Sequence, residues 1–336
     1  MNTAVKDSEL VDKIFSVTAE TFTDTALTIF RFQYENNTVY RQFCNALKVN
    51  PGNVDALNKI PFLPISFFKT HTITTTDFAA AAIFESSGTT QTINSKHLVK
   101  DIGLYEKSFT TAFDLFYGAA TDWCIIALLP SYLERQHSSL VMMADRLIAQ
   151  SQHPQSGFYL NELEKLQQVL SLLEQQQQKV LLIGVTFALL DFAEQFPIPL
   201  HHTTIMETGG MKGRRKEMTR QQVHEILSTA FQQKSIHSEY GMTELLSQAY
   251  SKGNGIFNAP PWMKILIREE DDPLTIYKAG DKPTIAGAVN VIDLANIYSC
   301  SFIAAEDAGK LYADGSFEIL GRLDNTDIRG CSLLVL

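Results

Sequence analysis

The four cysteines of this sequence, Cys44, Cys124, Cys300 and Cys331, show no paired spacing, so they encode neither a disulfide framework nor a thiolate metal site. Cys44, Cys124 and Cys300 read as small core hydrophobes, and scattered thiols fit a reducing, cytoplasmic setting. No apolar run approaches the ~18 residues a membrane span needs, and the first ten residues lack the basic-then-apolar order of an export signal. A basic excess is also missing. With 28 Lys and Arg against 37 Asp and Glu, the formal net charge is -9, which argues against a surface built to neutralise a nucleic-acid backbone. The one compact basic cluster, Lys212, Arg214, Arg215 and Lys216, sits beside glycines and reads either as a solvated turn or as a phosphate-facing loop.

What is present is an ordinary globular composition, 45% hydrophobic and 19% charged over 336 residues, enough for one large domain or two modest ones with a sizeable core. Leu10, Ile14 and Val17, then Leu27, Phe30 and Tyr34, recur at helical steps, and Asn50, Pro51, Gly52 and Asn53 make a turn. Apolar runs at 79–84, 123–129, 180–185 and 203–206 are each followed by a polar loop and a helical stretch. Such alternation predicts an α/β fold with covered sheets whose strand ends carry the ligand site. The leucine stripe Leu163, Leu166, Leu170 and Leu173 predicts a surface helix over 161–178 that packs on a sheet. From Pro260 the spacing becomes hairpin-like, with Asp314-Gly315 as a two-residue turn. We therefore expect a single large domain over 1–336, divisible into an α/β portion, 1–258, and a smaller β-rich portion, 259–336.

Three loops concentrate chemistry. Ser86, Ser87, Gly88, Thr89 and Thr90 follow the run at 79–84, and small hydroxyl residues around a glycine let backbone N–H groups converge on an anion; a plain strand-to-helix turn reads equally well. Tyr240, Gly241, Met242, Thr243 and Glu244 offer an aromatic face, a flexible glycine, a hydroxyl and a carboxylate, suited to a purine, a phosphate and Mg²⁺. A helix start with Thr243 as cap and Glu244 in the first turn also accounts for the last two. Asp307, then Gly321, Arg322, Leu323 and Asp324, could meet ribose hydroxyls and phosphate, or be a turn acid and a surface ion pair.

Taken in this order, Ser86-Ser87-Gly88-Thr89-Thr90, Tyr240-Gly241-Met242-Thr243-Glu244, Asp307 and Gly321-Arg322-Leu323-Asp324 resemble the successive core motifs of the adenylate-forming superfamily, over about 84–331. Within it the sequence is most similar to the acyl-protein synthetase (LuxE-type) family, on Leu129-Pro130-Ser131-Tyr132-Leu133-Glu134-Arg135, Ser138-Ser139-Leu140, Thr208-Gly209-Gly210 and Arg329-Gly330-Cys331-Ser332. The resemblance implies the N-terminal-domain fold of these enzymes, ATP and Mg²⁺ as cofactors, and ATP-dependent activation of a carboxylic acid, a fatty acid above all, to an acyl adenylate that passes to a thiol. The partners it implies are the acid and an acyl-accepting protein or small thiol; an acyl-CoA or carrier-protein ligase is the alternative, and a non-catalytic nucleotide-binding module a further one.

Residue by residue, the resemblance implies that Ser86, Ser87, Gly88, Thr89 and Thr90 hold the β- and γ-phosphates. Tyr240 and Gly241 would lie at adenine, Thr243 near the α-phosphate, Glu244 on Mg²⁺, Asp307 on ribose with Arg322 beside it. Gly209 and Gly210 would border the acyl pocket, with His137 either gating it or standing as an exposed loop histidine. Two departures matter. Gln91 and Thr92 stand where most members have glycine and lysine, so that Lys96 is the nearest cation. The sequence also stops at Leu336, where most of the superfamily continues into a mobile lysine-bearing domain. Cys331 is then an expected acyl acceptor, its thiolate favoured by Arg329, or else the start of a short apolar tail strand.

Overall fold

The N-terminal periodicity becomes three helices, α1 (Thr3–Phe15), α2 (Phe22–Asn36) and α3 (Thr38–Ala46). Asn37 ends one and starts the next: its side chain accepts from Tyr40 N–H, capping α3. In this computed structural model, the residues described are 3–86, 93–130, 137–209, 218–277 and 282–323.

After β1 (Leu63–Pro64) and the one-turn α4 (Phe67–Thr70), the chain forms a separate two-stranded hairpin, β2 (Ala82–Glu85) and β3 (Lys96–Val99). Here the fold departs from expectation. The run at 79–84 is a hairpin strand paired antiparallel in register Glu85↔Lys96, with Ile83 39% exposed, and the loop after it leads to another strand instead of a helix. The alternating unit follows: α5 (Ile102–Tyr117), β4 (Cys124–Leu128), α6 (Ser139–Ser151), β5 (Gly157–Phe158), α7 (Leu163–Gln175), β6 (Val180–Val185), α8 (Thr186–Gln195), β7 (Thr203–Thr208), α9 (Arg220–Phe231) and β8 (His237–Tyr240). β4, β6 and β7 match the apolar runs because strands covered on both faces need no polar alternation; every residue of β4 and β6 is buried.

Five strands, β5-β4-β6-β7-β8, run parallel. The sheet then continues antiparallel through β9 (Ala249–Ser251), β10 (Phe257–Asn258), β14 (Phe317–Arg322), β13 (Phe302–Tyr312), β12 (Thr284–Asp293) and β11 (Met263–Arg268), while β1 pairs parallel with the start of β13. A single 12-stranded sheet thus runs through both sequence portions. The β13–β14 turn is longer than two residues: Tyr312 N–H donates to Ser316 O and Gly315 N–H to Tyr312 O, with Gly315 at φ 87 supplying the left-handed residue that such a turn requires. No helix among the described residues is long and apolar enough to cross a membrane.

Candidate functional site

The ends of the parallel strands and the β2–β3 hairpin meet at one place. Ser86 is tied to Ser95 twice, its N–H donating to Ser95 O at 3.1 Å and its Oγ accepting from Ser95 N–H at 2.9 Å. These bonds close the loop whose Ser87, Gly88, Thr89 and Thr90 lie outside the described residues. His137, exposed after β4, is fastened to the same hairpin: Ile83 O is 3.1 Å from its Nδ1, and its carbonyl accepts from Glu85 N–H. Lys96 stands at the hairpin base, 3.4 Å from Glu85 across the pair.

Ser95 is also a side-chain hydrogen-bond partner of Glu244. The Glu244 side chain is only 5% exposed, and burial raises its pKa against the opposing pull of Ser95, Arg322 and Lys69. Thr243 and Glu244 sit in a turn after β8, so the helix-start reading fails: a neutral buried His97 accounts for the local geometry instead, its Nδ1 2.9 Å from Thr243 O. Burial depresses His97 to about 4, keeping it uncharged. Asn296 donates to Glu244 O at 2.7 Å, and Asp293 accepts from Leu246 N–H, Ser247 N–H and Ser247 Oγ. Sequence reasoning missed Ser95, His97, Asp293 and Asn296, because each becomes relevant only through a contact some 50 to 150 positions away.

Tyr240 and Asp307 are 67 positions apart yet bonded, Tyr240 OH donating to Asp307 Oδ2 at 2.8 Å. The β13–β14 register sets Asp307 opposite Arg322. Burial raises the Asp307 pKa, while Tyr240, Arg322 and Arg268 oppose it. Arg322 therefore acts on Tyr240, Glu244 and Asp307 together, and the three separate loops form one polar cluster.

On the opposite face of β8, Glu239 stands between two cross-strand neighbours, Thr208 on β7 and Tyr250 on β9. Thr208 Oγ1 donates to Glu239 Oε2. Gly209 follows at φ 71, its carbonyl accepting from Thr186 Oγ1; Gly210 lies outside the described residues, as do Asp324 and Cys331. Below this row, Phe113, Ile125, Met143, Leu147, Met206 and Tyr250 border an apolar space between the sheet and α5 and α6. Among the described residues no group of three or more His, Cys, Asp and Glu is placed to hold a metal ion.

A profile of the acyl-protein synthetase family, LuxE, matches residues 7–336. No curated protein matches. Among solved structures, 2-hydroxyisobutyryl-CoA ligase in the postadenylation state with its R3-HIB-AMP superposes at TM-score 0.63 and 10% identity, over 93% of this chain and 70% of that one. The O-succinylbenzoate coenzyme A synthetase of Bacillus subtilis, in complex with ATP and magnesium ion, gives 0.50 at 14% identity, over 90% of this chain and 64% of that one. These likenesses establish an α/β fold of the adenylate-forming ligase type. The chain spans 43%, 70% and 50% of the first three structures it matches.

Proposed function

This chain belongs to the LuxE acyl-protein synthetase family, and from that premise we propose that it activates a carboxylic acid, a fatty acid among the candidates, with ATP and hands the acyl group to a thiol. The observation that carries the proposal is the convergence of Glu244, Ser95 and Arg322 with the Tyr240–Asp307 pair. A substrate carboxylate oxygen attacks the α-phosphorus, the P–O bond to pyrophosphate breaks with its electron pair leaving on pyrophosphate, and an acyl adenylate forms. A thiolate then attacks the acyl carbon and AMP departs.

In this reading Ser86 to Thr90 hold the β- and γ-phosphates, Tyr240 and Gly241 lie at adenine, Thr243 at the α-phosphate, and Asp307 and Arg322 at ribose. Glu244 fits Mg²⁺: it is a buried carboxylate whose raised pKa a cation would relieve. Mg²⁺ supplies charge neutralisation for the departing pyrophosphate. In the same reading Gly209, Gly210 and His137 border the acyl group. The buried free thiols Cys44, Cys124 and Cys300 support a cytoplasmic setting and leave Cys331 as the proposed acceptor.

Acid-dependent exchange of pyrophosphate into ATP tests the first step, and its absence across fatty and aromatic acids rejects the reading. For the second, incubation with ATP, Mg²⁺ and an active acid should add one hydroxylamine-labile acyl mass, which Cys331→Ser abolishes without affecting exchange. An adduct elsewhere, or acyl transfer unchanged in Cys331→Ser, assigns the acceptor role to an external thiol.

A further inference from the structure

The hairpin of β2 and β3 is a sheet of its own, and no strand ladder among the described residues joins it to the 12-stranded sheet. Side chains make the join instead. Ser95 and His97 stand two positions apart, so they face the same way, and both are buried, at 2% and 1% exposure. They meet consecutive residues of the turn after β8: Ser95 bonds the Glu244 side chain, and His97 Nδ1 lies 2.9 Å from Thr243 O. A carbonyl only accepts, so Nδ1 carries the hydrogen and donates it. From the other side Asn296 Nδ2 donates to the next carbonyl, Glu244 O, at 2.7 Å. Two successive peptide carbonyls of the turn are thus gripped, one from the hairpin and one from the main body.

Packing alone gives no reason for a histidine at position 97. Its ring lies edge-on to Phe68 and Phe84, with centroids 5.9 and 6.4 Å away. An apolar side chain would fill that space without the cost of burying an imidazole. What the imidazole adds is one donor, aimed at a carbonyl that belongs to a turn, outside any strand ladder. Burial holds the ring neutral, with its pKa down at about 4.

One reading is the premise: Ser86 to Thr90 hold the β- and γ-phosphates, and Thr243 and Glu244 serve the α-phosphate and Mg²⁺. Resting on it, we infer that His97 is a positioning residue for adenylate formation. Its Nδ1–H on Thr243 O locks the turn to the hairpin in which Ser95 closes the phosphate loop onto Ser86. One rigid unit then holds the α-phosphate and the departing pyrophosphate, and the substrate carboxylate meets a phosphorus already in line with its leaving group. A misplacement of ~1 Å at such a centre costs about 100-fold in rate.

The test separates the donor from the volume it occupies. His97→Asn keeps an N–H that branches from the side chain at the same position as Nδ1 and gives up part of the ring; His97→Leu keeps the volume and gives up the donor. In pyrophosphate exchange by the full chain, His97→Asn should retain kcat within ~5-fold of the parent, whereas His97→Leu should lose ~30-fold or more. KM for the acid should stay within ~3-fold in both, as expected when alignment rather than binding is lost. Unfolding midpoints should run the other way, His97→Leu at or above His97→Asn. Activity that follows the midpoints, or a His97→Leu kcat within ~3-fold of the parent, overturns the inference while leaving acid activation standing. No exchange by the parent with any acid overturns both. Where a variant fails to fold, amide hydrogen exchange on the unmodified chain decides: Mg²⁺ and a non-hydrolysable ATP analogue should protect 95–99 and 243–247 by factors within ~2-fold of each other. Protection of one segment without the other overturns the inference.

Discussion

Two buried polar groupings flank the segment from Glu239 to Ser247, and they differ in how completely the protein satisfies them. Around Asp293 every acceptor position is met: its carboxylate accepts from Leu246 N–H at 2.8 Å, Ser247 N–H at 3.0 Å, Ser247 Oγ at 2.6 Å and Ala295 N–H at 3.1 Å. Trp262 Nε1 adds a bond to Ser247 Oγ. Farther out, Gln33 donates to Asn296 O and Ile297 O and accepts from Ser301 N–H, so the N-terminal helices brace the turn that braces Glu244. Around Glu239 the bonding stays open at Gln248 and Tyr250. Buried groups are expected to be paired. The closed set around Asp293 is scaffold, whereas Gln248 Oε1 and the Tyr250 hydroxyl depart from that rule.

The largest expected effect breaks the closed side. Asp293→Ala leaves three amides and a hydroxyl buried without an acceptor and should cost about 3–5 kcal/mol of folding stability, read from denaturant midpoints. Asp293→Asn, which keeps the shape and one oxygen, should cost clearly less. Equal losses would mean that the carboxylate is not what the surrounding donors need.

Glu244→Ala comes next and sharpens the contrast, because it should damage activity while sparing the fold. Exchange should fall by at least ~100-fold, about 2.7 kcal/mol of barrier, with the unfolding midpoint little changed, since burial works against this carboxyl in the folded protein. Exchange like that of the parent protein would remove Glu244 from the site. For Asp307→Ala we expect a higher KM for ATP and weaker discrimination against 2′-deoxy-ATP, worth about 1.5–3 kcal/mol for bonds to a charged group. Equal discrimination before and after substitution would separate Asp307 from ribose.

The smallest effect is a pH slope from the open side. Glu239 rises from 4.5 to about 7 on folding, so the stability it contributes is fully present below 4.5 and is lost as pH climbs towards 7. Glu239→Gln lacks this loss and should gain on the parent protein by about 1–2 kcal/mol across that window, discounted because the side chain keeps some solvent contact. His97, depressed from 6.5 to about 4, runs the other way, with stability present above 6.5 and lost as pH falls towards 4. The difference between variant and parent cancels His97 and isolates Glu239. A flat difference would show that Glu239 titrates as an exposed carboxyl does.

How much of the molecule was legible in its sequence depended on the range of the interaction. The run at 180–185 became β6 to the residue, and 203–206 became most of β7, because a continuous apolar run bounded by polar residues has few other places to go in an α/β fold. The stripe from Leu163 to Leu173 became α7, with Leu166, Leu170 and Leu173 buried. The order of the motifs also identified the family, since Tyr240, Thr243, Glu244, Asp307 and Arg322 announce themselves by residue type and spacing. The run at 79–84 misled: apolar residues in a short strand look alike whether they enter the main sheet or a hairpin, and only the pairing of Ala82 with Val99 through Glu85 with Lys96 decides.

By itself, then, the sequence determined which segments are helix or buried strand and which residue types are available for chemistry, because periodicity and motif spacing are local properties of the chain. Only the tertiary structure decided that Ser95 partners Glu244, that Tyr240 donates to Asp307, and that Glu239 shares the space above Gly241 with Gln248. Those outcomes depend on strand order and register, where a shift of one residue turns every side chain to the opposite face of the sheet.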